Sequence, residues 1–200
     1  EGYAMHMPSP NTVAPAQGLY QPDEFKDNCG FGLIAHMQGD ASHDLVKTAM
    51  HSLSCMTHRG GIAADGKTGD GCGLLLAMPK QFFREEAKKL SDITLSEVFA
   101  VGTVFLSLDP AIAAHAKQIL TKEIESEGCR VLAWRVVPTN NDALGSIAMQ
   151  SLPAFEQIIV NCPMGVSEVE FNRKLFLARR RAEQQLTNDA SFYVTTLCST

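Results

Sequence analysis

The stretch Phe99–Val137, FAVGTVFLSLDPAIAAHAKQILTKEIESEGCRVLAWRVV, decides the fold class. Phe99–Leu106 is an apolar, partly β-branched run closed by polar residues, which predicts a strand. Asp109 then offers a side-chain oxygen to the first free amides of a helix, and Pro110 suits its first turn. Gly128 supplies the residue that ends it. Between those signals Ile112, Ala116, Ile119, Leu120 and Ile124 recur at helical spacing and predict a buried stripe. Arg130–Val137 returns to strand character.

Downstream, 156–161 predicts another strand. Two strand segments, 130–137 and 156–161, thus follow one another between helices. This breaks strict βαβ alternation and favours a mixed α/β fold with antiparallel pairing over a doubly wound parallel sheet. Ser167-Glu168-Val169-Glu170 has the form of a capping box opening a helix to about Leu186, and Phe192–Cys198 predicts a further strand. Upstream, Phe31–Met37 (FGLIAHM) predicts a short buried strand. Ser42 opens a helix carrying Leu45, Val46, Ala49, Met50, Leu53 and Met56 on one side, ended by Gly60-Gly61. A Gly- and Asp-rich loop from Gly60 to Gly71 leads to an expected strand at Gly73–Met78, and Pro79 starts a helix through Leu90. Residues 1–28 differ from the rest: Glu1–Gln21 carries prolines and no apolar period and reads as loop or tail, and Glu1–Met7 could include appended residues.

The composition, 45% apolar and 20% charged, is that of a globular chain with a core. A net charge of −5 argues against a nucleic-acid or anionic-membrane partner, both of which select clustered Lys and Arg. The basic run Arg179–Arg181 lies inside a helical pattern and reads as a solvated face. No apolar run approaches the ~18 residues of a membrane span, and no secretory signal is visible, so a cytoplasmic location with reduced thiols is expected. Cys29, Cys55, Cys72, Cys129, Cys162 and Cys198 are scattered without C-x-x-C spacing, so no metal or cluster site is expected, and most read as small core residues.

Gly61-Ile62-Ala63-Ala64-Asp65-Gly66-Lys67-Thr68 satisfies the phosphate-loop pattern G-x-x-x-x-G-K-T. A working phosphate loop needs strand, loop and helix in that order, so that the anion meets a helix N-terminus. Here a helix precedes and a strand is expected after, which argues against a nucleotide binder. A glycine-permitted turn is the simpler reading.

Cys29 differs from the other cysteines. It stands at the junction between the tail and the first expected core strand, between Asn28 and Gly30, and the glycine leaves its backbone approachable. The segments Asp27–His36 (DNCGFGLIAH), Thr57–Gly61 (THRGG) and Ala64–Gly73 (ADGKTGDGCG) closely resemble the start of the glutamate synthase large subunit, and Val137–Asn140 and Phe176–Arg181 resemble the same family. The resemblance covers residues 19–200 in five ordered segments.

The resemblance implies a class II glutamine amidotransferase domain of the N-terminal nucleophile hydrolase type, an αββα sandwich present as an incomplete domain over 29–200. It implies removal of the 1–28 propeptide between Asn28 and Cys29, and Cys29 as the nucleophile that hydrolyses L-glutamine. Arg59 matches the arginine that follows the first helix of that domain. It would bind the substrate carboxylate or hold the site loop, while an ordinary helix-end cation explains it equally well. The family's oxyanion Asn-Gly pair does not occur before Thr200, so little activity is expected of this stretch alone; a noncatalytic or unprocessed piece is the rival reading. For the whole protein the resemblance implies ammonia delivery to 2-oxoglutarate, FMN, a 3Fe-4S cluster and NADPH or ferredoxin. None of these is expected to bind within the present residues. The implied partners are the remaining domains of the large subunit and, for the NADPH type, a small reductase subunit.

Overall fold

The computed structural model describes residues 30–56, 61–69, 71–91 and 93–200, in two compact units that divide between Gly61 and Ile62. Asn28, Cys29, His58 and Arg59 lie outside the described residues.

In the first unit, helix α1 spans His43–Ser54, with Ser42 Oγ accepting from the Leu45 amide at 3.2 Å. Leu45, Val46, Ala49 and Leu53 share its more covered side, although none is fully buried. Phe31–Met37 is irregular rather than the expected buried strand. Phe31 is 91% exposed and Leu33 89%, and no strand among the described residues pairs with them. An apolar run becomes a strand only when a neighbour satisfies its backbone groups.

The second unit is built on one sheet. It contains α2 (Lys80–Ser91), β1 (Phe99–Leu106), α3 (Pro110–Ser126), β2 (Arg130–Val136), a 3-10 turn at Asn141–Ala143, the one-turn helix α4 (Ser146–Met149), β3 (Ala154–Asn161), α5 (Glu168–Gln185) and β4 (Tyr193–Cys198). The strands lie in the order β2-β3-β1-β4, all neighbours antiparallel. The antiparallel pairing expected from consecutive strand segments is therefore present. The expected strand at 73–78 is not: that segment is irregular, and Leu75 is 90% exposed.

Period-two alternation sorts the strand residues between two cores. Ala100, Val104 and Leu106 of β1, Ile158 and Val160 of β3 and Val194 and Leu197 of β4 meet α3 and α5 through Ala116, Leu120, Ile124, Phe171, Leu175 and Ala178. On the opposite face Phe99, Val101 and Ile159 meet Phe83 and Ala87 of α2. Beyond α2 that face carries Phe105, with ring contacts to Phe155 at 4.8 Å and Tyr193 at 6.0 Å, and Tyr193 is 55% exposed. β1 shows little inside-outside alternation because both its faces are covered along much of its length.

Two local features tune this layer. Leu132 is an extra residue between the pairs Val131↔Val160 and Ala133↔Ile159, so Trp134 returns to the α3 face. There its indole Nε1 donates to Thr121 Oγ1 at 3.2 Å and Lys117 Nζ sits 5.7 Å from the ring centroid. At Gly102 a Cβ would lie 2.8 Å from Leu197 Cδ1 and 2.9 Å from the Thr196 carbonyl, so the central strand needs glycine there for space.

Asp109 caps α3 through its Oδ1, 2.8 Å from the Ala111 amide. The helix buries Ala113, whereas Ile112 is 46% exposed, which corrects the expected stripe at its first position. Ser167 Oγ accepts from the Glu170 amide at 3.3 Å. The capping box is only half made, because the Glu170 carboxylate turns to the Arg173 guanidinium in a fork at 2.9 and 2.9 Å. Arg179–Arg181 is paired rather than merely solvated. Arg179 and Arg180 each reach Glu183 at 2.7 Å, and Arg181 crosses to Glu127 beyond the end of α3.

Candidate functional site

The chemistry expected from the sequence centres on Cys29, Asn28 and Arg59, and all three lie outside the described residues. What the structure does describe is the glycine-rich turn that follows them. Ile62 and Gly69 form an antiparallel bridge, and the Ala63 amide donates to the Thr68 carbonyl at 2.7 Å. Gly66 closes the tip with φ 70°, the left-handed region in which glycine carries no Cβ penalty.

Asp65 organises this turn. Its Oδ1 accepts from the amides of Lys67 at 3.0 Å and Thr68 at 2.8 Å, and its Oδ2 accepts from the Thr68 hydroxyl at 2.6 Å. The same Oδ2 reaches out of the turn to the Ile147 amide at 3.0 Å, with a longer approach from the Ser146 hydroxyl at 3.5 Å. Thr68 Oγ1 accepts from the Ala148 amide at 3.1 Å. The turn thus supplies the side-chain cap that α4 lacks locally, since its own N-cap is Gly145. These contacts, with that from the Ile147 amide foremost, hold the Asp65 carboxyl far below the usual carboxylate range.

This geometry disposes of the phosphate-loop reading. The Lys67 and Thr68 amides that would cradle a phosphate already donate to Asp65, and a carboxylate occupies the N-terminus of α4. Among the described residues no helix follows the turn until Lys80.

Two of the described cysteines are poor nucleophiles where they sit. Burial pushes the Cys129 thiol up to about 11, and burial likewise raises Cys162, which leaves both protonated at neutral pH. Cys55 is exposed and its Sγ lies 3.9 Å from His51 Nε2, too long for direct proton transfer. Cys72 is exposed as well, so the expectation that the cysteines fill the core holds for Cys129 and not for these two. Among the described residues no group of three or more His, Cys, Asp or Glu side chains could hold a metal ion.

The tie between Asp65 and the 145–148 segment escaped the sequence reading. The Asp and Thr of a tight turn were visible, but nothing local points to a partner about 80 residues away.

Comparison with known proteins places these features in a family. Residues 29–200 match the family described as Glutamine amidotransferases class-II. The chain is 38% identical over 191 residues to the large chain of the NADPH glutamate synthase of Bacillus subtilis (strain 168), which covers 94% of this chain and 12% of that protein. It is 38% identical over 188 residues to ferredoxin-dependent glutamate synthase 2 of Synechocystis sp., with 92% and 12% covered. Against ferredoxin-dependent glutamate synthase 1 of Arabidopsis thaliana the identity is 36% over 163 residues, with 81% and 10% covered. The chain therefore spans about 12% of the length of the first two of these relatives.

Proposed function

The chain belongs to the class II glutamine amidotransferases, and from that premise we propose that it is the glutaminase part of a glutamate synthase, with Cys29 as its nucleophile. The observation that carries this reading is where the family match begins: on Cys29 itself, after the Asn28-Cys29 junction.

The chemistry explains why the junction matters. A thiol with pKa about 8.5 is mostly protonated at neutral pH. Once residues 1–28 are removed, the α-amino group of Cys29, with pKa of about 7.7–8.0, accepts the thiol proton directly or through water. The sulfur attacks the side-chain amide carbon of glutamine, and the collapsing tetrahedral intermediate expels ammonia, protonated by the same amine. Water then cleaves the thioester, releasing glutamate and the thiol. With residue 28 attached, the nitrogen is an amide and has no such basicity. Arg59 is assigned to the α-carboxylate of glutamine, for which a planar guanidinium supplies two parallel donors.

The αββα sandwich belongs to the same proposal. Its second sheet would stack on the face carrying Phe105, Phe155 and Tyr193, where α2 covers only part of the described sheet. Ammonia would aminate 2-oxoglutarate in the remaining domains of a large subunit. The relatives' names specify NADPH in one case and ferredoxin in another, and either would serve as reductant here. FMN and a 3Fe-4S cluster, with a small reductase subunit for the NADPH type, complete the proposed assembly and would be held by other residues. A cytoplasmic location is proposed; among the described residues no helix is long and apolar enough to cross a membrane.

The test is glutamate and ammonia release from glutamine by the whole protein carrying this sequence. Cys29→Ala should abolish both; undiminished release by that variant would refute the assignment.

A further inference from the structure

We propose that Cys129 and Cys162 are a cross-strand thiol pair that closes to a disulfide when a small-molecule disulfide is the oxidant, clamping the edge strand β2 to β3. The proposal stands apart from the glutaminase reading and uses only described residues.

The sheet register places the two cysteines side by side. β2 and β3 run antiparallel with Arg130 opposite Asn161 and Val131 opposite Val160, so the next step outward sets Cys129 opposite Cys162. Their side chains share a face. Cys129 belongs to the core beneath α3 and α5, and Cys162 packs against that same core, as Val131 and Val160 do two residues along each strand.

The backbone decides how close they come. The Cys162 amide donates to the Val98 carbonyl at 3.2 Å, toward β1. In a strand flanked on both sides, successive residues turn their backbone groups to alternate neighbours. Toward β2, Cys162 therefore holds a non-hydrogen-bonded position. Residues paired in that way have Cα atoms about 4.5 Å apart and the closest side chains of an antiparallel ladder. A disulfide spans Cα separations of about 4.4–6.8 Å, so register alone brings the pair within bridging range. The two sulfurs also feel each other: besides burial, its main cause, the upward push on the Cys129 thiol includes a contribution from Cys162.

In the reduced protein both thiols are free, and Cys162 Sγ donates to the Pro163 and Val166 carbonyls at 3.5 Å each. Cys129 is only 5% exposed and Cys162 is half-buried, so the reaction enters at Cys162. Its thiolate attacks one sulfur of oxidised glutathione, whose S–S bond breaks. A mixed disulfide forms, and the departing glutathione thiolate takes up the proton that Cys162 gave up. Cys129 then attacks the Cys162 sulfur and expels the second glutathione as a thiol. Two protein thiols are oxidised and one glutathione disulfide is reduced to two thiols. Burial keeps both protein thiols largely protonated, which makes the exchange slow.

The bridge would act where the sheet is weakest. Among the described residues β2 has β3 as its one strand neighbour, and the extra residue at Leu132 interrupts its ladder. Cys129 is where the chain enters β2 after α3, and Cys162 is where it leaves β3 for α5. A bond between them pins the end from which the edge strand would open.

The experiment incubates the folded whole protein with oxidised glutathione for hours, alkylates the remaining thiols and maps the peptides by mass. The expected result is one cross-linked pair of peptides carrying Cys129 and Cys162, lighter by two hydrogens than the separate thiol peptides. It should be absent from Cys129→Ala and Cys162→Ala. Hydrogen exchange of the β2 amides should slow about tenfold or more in the bridged protein, with the other edge strand, β4, unchanged. Cys162 that stops as a mixed disulfide with glutathione would show Cys129 out of reach and overturn the proposal. So would two thiols that stay alkylatable in the folded protein while a denatured control is oxidised, or a bridge from either to another cysteine. A bridge that leaves β2 exchange unmoved overturns the clamp. Should the alanine variants fail to fold, the wild-type peptide map and exchange rates decide alone.

Discussion

Every fully buried apolar side chain among the described residues lies between Phe83 and Leu197; none lies in 30–56 or 71–78. The sheet layer is held by apolar packing on its two faces, from Phe171 and Leu175 on one side to Phe99 and Ile159 on the other. The motif-bearing segments are held differently. Phe31, Leu33 and Leu75 face outward, and the glycine-rich turn is fixed by hydrogen bonds from Asp65 and Thr68. The part of the chain that folds by its own hydrophobic pattern is thus distinct from the part that carries the family's chemical signature. A layer with its own apolar core can serve as scaffold while glycine-rich segments are shaped by a few directional contacts.

The contrast breaks most visibly at the centre of the layer. Phe171→Ala removes a fully buried ring between α5 and the sheet and should destabilise by about 3–5 kcal/mol in urea denaturation. A cost near zero would mean the layer is not the source of stability. Gly102→Ala should come next, at about 1–3 kcal/mol, because the added methyl meets Leu197 and the Thr196 carbonyl in the middle of the central strand.

A smaller effect should appear in the pH dependence of the polar region. The Asp65 carboxyl titrates below its unfolded value when folded, so its contribution to stability is present above the ordinary carboxylate range, about pH 4, and is lost as pH falls below it. Thermal melts from neutral pH into acid should therefore fall less steeply for Asp65→Asn than for wild type. Parallel curves would show that the turn does not hold the charge as described. The smallest change is expected at Leu75→Ala, whose side chain is 90% exposed: within about 0.5 kcal/mol of wild type. A loss of core magnitude there would show that the segment is covered, and would erase the distinction between the two regions.

The sequence was most legible where short-range physics decides. Asp109-Pro110 and Ser167 mark helix starts because a side-chain oxygen and a fixed φ act on amides a few residues away, and both caps are present. The four strands of the layer were readable as apolar runs, and their antiparallel pairing followed from two strand segments with no intervening long helix. Where a structure depends on distant residues, the local pattern does not determine it. Phe31–Met37 and Gly73–Met78 have strand composition, but composition cannot supply the neighbour that completes a ladder. The extra residue at Leu132 re-aims Trp134 through pairing with β3, which no local pattern announces. Helical spacing put Ile112 on the α3 stripe, whereas the helix buries Ala113 and leaves Ile112 46% exposed.

The candidate site was legible only in part. Cys29, Asn28 and Arg59 are expected from resemblance and lie outside the described residues, and the family match begins at Cys29. Asp65 and Thr68 were visible only as members of a false phosphate motif. Their contacts to Ile147 and Ala148 reveal that the same residues close a turn and cap a remote helix.

The measurement that tests the central claim most directly is the intact mass of the whole protein after incubation with an electrophilic glutamine analogue. A self-processed N-terminal nucleophile predicts loss of residues 1–28 and a single adduct, absent in Cys29→Ala. An unshortened, unlabelled chain, or an adduct that persists in Cys29→Ala, would contradict it.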